Sequence, residues 1–128
     1  MTAVSDSLIF GNILSTPESA AIWSDKTRTK YYLEFESALA SAQARLRIIP
    51  QKAADEIVKH CRIEEIDWDQ LRQQTELIGY PVLPVVKQLV GKVNAVEAGL
   101  GEFVHWGATT QVSSISAADL DVQLVPPR

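Results

Sequence analysis

Apolar positions recur at steps of three and four through the middle of this chain. Tyr32, Phe35, Leu39, Ala42 and Leu46 keep that rhythm inside Asp25 to Arg47, a stretch without Pro or Gly. The period places them on one narrow lane of a long helix, a seam of the coiled-coil or bundle type. Ala38, Ala40, Ala42 and Ala44 are small enough to let a neighbouring helix approach closely. Ser24 or Asp25 can cap the start, and Arg45 and Arg47 sit where the helix dipole favours cations. Ile48-Ile49-Pro50 ends the element.

Shorter helices flank it. Thr16-Pro17 pairs a capping hydroxyl with Pro at the first helical position, predicting a helix from Pro17 to Trp23. A helix over Gln51–Cys61 would turn Ala54, Ile57, Val58 and Cys61 inward. Asp67-Trp68-Asp69-Gln70 has the form of a capping box, with Gln70 reaching back to the cap, and Gly79 is a natural left-handed stop. Pro84 can open a further helix with Val86, Leu89, Val90 and Val93 on its apolar face. Trp23, Tyr31 and Tyr32 read as bundle core. No run alternates as a strand does, so the expected fold class is all-α. The expected organisation is an extended segment over 1–15, a helical domain over 16–111 and a loose tail of different design over 112–128.

Composition narrows the classes of function. The chain has 128 residues, 46% of them hydrophobic and 22% charged, which permits one small packed domain. A net charge of −4 argues against nucleic acid held on a basic face. The acidic residues between Asp55 and Asp69 read as a solvated surface. A single cysteine, Cys61, rules out an internal disulfide and fits a reducing, cytoplasmic setting. No apolar run is long enough to span a bilayer, and no signal peptide is evident.

Candidate chemistry concentrates in Phe103-Val104-His105-Trp106-Gly107-Ala108-Thr109-Thr110-Gln111. The run sets an imidazole, an indole, two hydroxyls and an amide around one Gly. Gly107 lets a ligand approach the backbone, and Thr109 or Thr110 can cap a helix starting near Gln111. Helix N-termini offer unpaired N–H groups to a carboxylate. The same residues also fit a plain capped loop, and spacing alone leaves the two readings level. His60 and Cys61 are adjacent and cannot share a helical face, so no metal is expected. Neither a Gly-rich phosphate loop nor a Ser/His/Asp arrangement can be assembled.

The order of these segments carries a resemblance. Ala20-Ala21-Ile22-Trp23-Ser24-Asp25, then the Ala-rich helix ending at Pro50, then a Pro-initiated helix leading into Val104-His105-Trp106-Gly107-Ala108-Thr109-Thr110-Gln111, resembles the N-terminal domain of the fumarase/aspartase superfamily. Within it the chain is most similar to the 3-carboxy-cis,cis-muconate cycloisomerase branch of aromatic-compound degradation (the β-ketoadipate pathway). Adenylosuccinate lyase comes second, because its usual His-Asp pair is replaced here by Ile78-Gly79-Tyr80-Pro81-Val82. The resemblance covers roughly Phe10 to Gln111. It implies homotetramers on a central helix bundle, a small polycarboxylate substrate, no cofactor, and active sites shared between subunits. By position it implies that His105, Thr109, Thr110, Gln111 and Trp106 bind substrate. The family's general acid and base come from later segments, so no catalytic residue is expected in this chain.

After Gln111 the family continues with Asp into its central helix, whereas this chain reads Val112-Ser113-Ser114-Ile115. Loss of one base from codons for Asp-Val-Ile-Asp gives Val-Ser-Ser and the start of an Ile codon. The expectation is therefore a frameshifted remnant, truncated before the bundle and inactive alone. A rival reading from another class is a non-catalytic helical interaction module using the lane from Tyr32 to Leu46.

Overall fold

The computed structural model describes Ile9, Phe10, Ile13 and residues 16–123. The segment over 1–15 therefore lies almost wholly outside the described residues. Among the described residues from 16 onward six helices follow in chain order: α1 (Pro17–Ile22), α2 (Asp25–Arg45), α3 (Gln51–His60), α4 (Trp68–Ile78), α5 (Val82–Val96) and α6 (Thr110–Gln123). Short 3-10 turns occupy Ile63–Glu65 and Leu100–Phe103, and among the described residues there is no strand. The all-α expectation holds.

The start signals work as the side chains dictate. Thr16 accepts from the Ser19 N–H at 3.2 Å, and Ser24 accepts from the Thr27 N–H at 3.2 Å. Asp67 accepts from the Gln70 N–H at 2.9 Å. The return half of the capping box is different from expectation. Gln88, across on α5, accepts from the Asp67 N–H at 2.9 Å and donates to the Asp67 carbonyl at 3.0 Å. One amide thus satisfies the helix start and ties α4 to α5. Gly79 ends α4 at φ +95°, its N–H donating to the Thr75 carbonyl at 2.7 Å. Pro84 stands inside the first turn of α5 rather than opening it, where a missing N–H costs no intrahelical bond.

The core forms where α2, α3 and α5 meet, with α6 laid along α2. Leu33, Ile57, Val85, Leu89 and Val93 fill it. Burying each such side chain contributes roughly 1.5–3 kcal/mol. Ala40, Ala44, Ala53 and Ala54 are buried as well, which lets α2 and α3 approach closely. On α3 the inward set is Ala53, Ala54 and Ile57, while Val58 faces out. Trp23 also lies at the surface rather than in the core.

The largest departure from the sequence reading concerns α2. Its buried lane is Thr29, Leu33, Glu36, Ala40 and Ala44, with Tyr32 on the border. Of the expected seam, Phe35, Leu39 and Ala42 are only half-buried and Leu46 is 71% exposed. Leu46 and Arg47 also fall past the helix end, where Arg47 takes φ +57° and the Ile48 N–H donates to the Gln43 carbonyl. Residues 112–123 are likewise helical where a loose tail was expected, and 124–128 lie outside the described residues. No Gly or Pro interrupts 110–123, and Ser113 is fully buried in the contact with α2.

Candidate functional site

The segment His105–Gln111 runs from the turn at Leu100–Phe103 into the start of α6. Two side chains of α2 hold it. Gln43 Nε2 donates to the Trp106 carbonyl at 2.7 Å. Glu36 Oε1 lies 2.6 Å from His105 Nδ1. Glu36 and Gln43 are two helical turns apart and therefore share a face. A sharp backbone turn completes the geometry. His105 sits at φ +59° and Gly107 at φ +67°, and the Ala108 N–H donates to the His105 carbonyl at 3.2 Å. Left-handed backbone is routine for Gly but costs roughly 1 kcal/mol for a residue with a Cβ, so the ties to α2 offset strain at His105.

The Glu36–His105 pair is the most buried ionisable contact described. The side chains keep 1% and 12% of their surface respectively. Glu36 Oε2 and His105 Nε2 are both buried and have no hydrogen-bond partner among the described residues. Burial raises the Glu36 carboxyl above the usual carboxylate range, and the facing His105 and then the Ser113 hydroxyl partly offset that rise. Ser113 faces the carboxyl without reaching hydrogen-bond geometry. The Cys61 thiol is pushed up to about 12, by burial first and then by Glu36 and Glu65.

The remaining expected residues divide by exposure. Trp106, Thr109 and Gln111 are exposed, with Gly107 between them, and Thr110 is half-buried at the first position of α6. Trp106 leans on Phe103 with ring centroids 5.8 Å apart. The Val112 N–H donates to the Thr109 carbonyl at 3.0 Å, closing the first turn of the helix. The structure leaves Trp106, Thr109 and Gln111 exposed and Thr110 half-buried within one short segment. It turns His105 inward onto Glu36. Clefts of about 360, 580 and 770 Å³ lie elsewhere, around Trp68, around Arg72 and Thr75, and around Arg47 and Ile49. None of these three is lined by 105–111.

Glu36, Gln43 and Ser113 were not legible as site residues. A signal existed for Glu36: it completes the spacing Thr29, Leu33, Glu36, Ala40, Ala44, a helical lane otherwise small or apolar. The acidic stretch also does more than face solvent, since Glu65 Oε2 lies 2.8 Å from His60 Nδ1 and Glu56 Oε2 lies 3.8 Å from His60 Nε2. Among the described residues no three His, Cys, Asp or Glu are placed to hold a metal ion, and no helix is long and apolar enough to cross a membrane.

No family model matches the chain. Individual proteins do. Over 112 residues it is 53% identical to trans-aconitate decarboxylase 1 of Mycosarcoma maydis, covering 88% of this chain and 22% of that protein. It is 37% identical to 3-carboxy-cis,cis-muconate cycloisomerase of Acinetobacter baylyi, over 82% of this chain and 24% of the relative. Adenylosuccinate lyase of Methanocaldococcus jannaschii is 30% identical over 74% of this chain and 20% of its own length. The crystal structure of β-carboxy-cis,cis-muconate cycloisomerase from Acinetobacter calcoaceticus superposes with a TM-score of 0.78 at 37% identity, covering 84% of this chain and 26% of that one. The chain spans about a quarter of the length of the relatives it matches. Over that span it belongs to the fumarase/aspartase superfamily, of which it carries the N-terminal helical part.

Proposed function

We propose that this chain is the N-terminal part of a superfamily enzyme acting on a small unsaturated polycarboxylate, and that Trp106, Thr109, Thr110 and Gln111 form one carboxylate-binding wall of its active site, with His105 beneath them. The observation that carries the reading is the exposed polar segment at the start of α6, tied to α2 by Glu36 and Gln43. The N–H groups of Thr110 and Gln111 at the start of α6 and the two Thr hydroxyls suit a carboxylate. The identity with trans-aconitate decarboxylase 1 makes a tricarboxylate alkene the first candidate substrate.

An open wall cannot bind a polyanion tightly by itself. Several cations and donors have to converge on such a ligand in a dry site. We therefore place the working site in a homotetramer, with acid and base supplied by segments that this chain does not contain. The frameshift account of residues 112–128 and a cytoplasmic location belong to the same proposal. The purified chain should bind trans-aconitate with a Kd of about 1 mM or weaker, equivalent to roughly 4 kcal/mol. It should release no carbon dioxide from trans-aconitate and lactonise no carboxymuconate. Turnover of either compound by the isolated chain would overturn the reading. The similarity to muconate cycloisomerases favours a second substrate assignment, a carboxymuconate, within the same architecture.

A further inference from the structure

We propose that Glu36 is a positioning residue that keeps a hydrogen on His105 Nε2. Only the use of that hydrogen, as a donor to a substrate carboxylate, rests on the function proposed above.

Two groups face the Glu36 carboxyl: His105 from the loop and Ser113 from α6. The Cys61 thiol at the end of α3 is close enough to feel the charge of Glu36. Lys and Arg form no ion pair with it among the described residues. An ionised carboxylate buried to this degree without a cation is strongly unfavourable, so the pair has to retain one compensating proton. That proton has two places to sit. On the carboxyl, the O–H donates to His105 Nδ1, and the neutral imidazole then carries its hydrogen on Nε2. On the imidazole, Nδ1–H donates to Oε1, and Nε2 again carries a hydrogen. The 2.6 Å separation fits either arrangement. Both leave Nε2 as a donor.

That donor has no acceptor among the described residues although it is buried. Buried donors without partners are rare in folded proteins, and one at the foot of an exposed, anion-suited segment has a ready explanation: its acceptor comes from outside the chain. The ring as a whole keeps 12% of its surface while Nε2 itself is buried, so an acceptor reaches Nε2 only when the covering segment gives way. A bare Glu36–His105 pair, holding one proton fewer, would present a lone pair at Nε2 and repel a carboxylate. Glu36 therefore selects the kind of ligand atom without touching it.

Long-range proton–nitrogen spectra of the 15N-labelled chain at neutral pH test this directly. His105 Nε2 should resonate as a hydrogen-bearing nitrogen, distinct from Nδ1. A bare Nε2 with the hydrogen on Nδ1 alone would overturn the assignment. In Glu36→Leu, which removes the carboxyl and keeps the bulk, the two nitrogens should collapse toward the averaged position of exchanging tautomers. A folded Glu36→Leu chain that keeps the original nitrogen pattern would also overturn it. If that variant does not fold, the spectrum of the unaltered chain decides. Addition of trans-aconitate should shift Nε2. Absence of that shift with Nε2 still protonated would count against the proposed function and leave the role of Glu36 standing.

Discussion

Two neighbouring lanes run along α2, and side-chain size and the observed packing give them opposite roles. The lane of Tyr32, Phe35, Leu39, Ala42 and Leu46 carries the larger apolar groups, yet beyond Tyr32 it is half-buried or open. The lane of Thr29, Leu33, Glu36, Ala40 and Ala44 carries, apart from Leu33, small and polar groups, yet it is the one packed against the rest of the molecule. The difference shows what close packing rewards. Helices that approach closely need small side chains between them, and a buried carboxyl is tolerated where it shares a proton with a good partner. Bulk alone does not decide which face is covered.

Substitutions can break this contrast. The largest effect is expected from Leu33→Ala, which should cost about 2–5 kcal/mol by opening a cavity in the core. Urea unfolding would measure it, and a loss below about 1 kcal/mol would mean that the covered lane lies elsewhere. Next comes Ala40→Leu, which forces extra carbons into a contact with no room. It should cost about 1–3 kcal/mol by the same measurement.

Glu36 gives a pH signature. Its carboxyl is raised in the folded chain by burial, so the folded state holds the proton to higher pH than the unfolded state does. Its contribution to stability is then fully present below the ordinary carboxylate value and is lost as pH rises through the raised folded value. A tenfold difference in proton affinity between the two states corresponds to about 1.4 kcal/mol. Unfolding of the unaltered chain and of Glu36→Gln, followed from about pH 4 to pH 7, should differ in slope in that direction. The smallest effect is expected from Leu46→Ala on the open lane, within about 0.5 kcal/mol.

These lanes also explain what could be read from the sequence. Helix starts at Thr16, Ser24 and Asp67 and the stop at Gly79 were legible because capping is a local bond between a side chain and a nearby N–H. The segment His105–Gln111 was legible by its composition and by its order among the other segments. Its support was not, because Glu36 and Gln43 lie 69 and 63 residues away from their partners. Nothing local marks a Glu as buried. Likewise Gln88 displaced Gln70 as the partner of the Asp67 N–H through a contact across helices. The helical course of 110–123 was hidden for another reason. Departure from the superfamily pattern after Gln111 masked the plain absence of helix breakers there.

The most direct test of the proposed binding wall is residue-resolved mapping of ligand contact on this chain. Backbone amide signals should be followed while trans-aconitate is added to millimolar levels. Saturable shifts are expected, confined to Gly107, Ala108, Thr109, Thr110 and Gln111, with His105 following through its Nε2. Shifts centred instead on the Trp68–Arg72 cleft, or none at 107–111, would contradict the proposed wall.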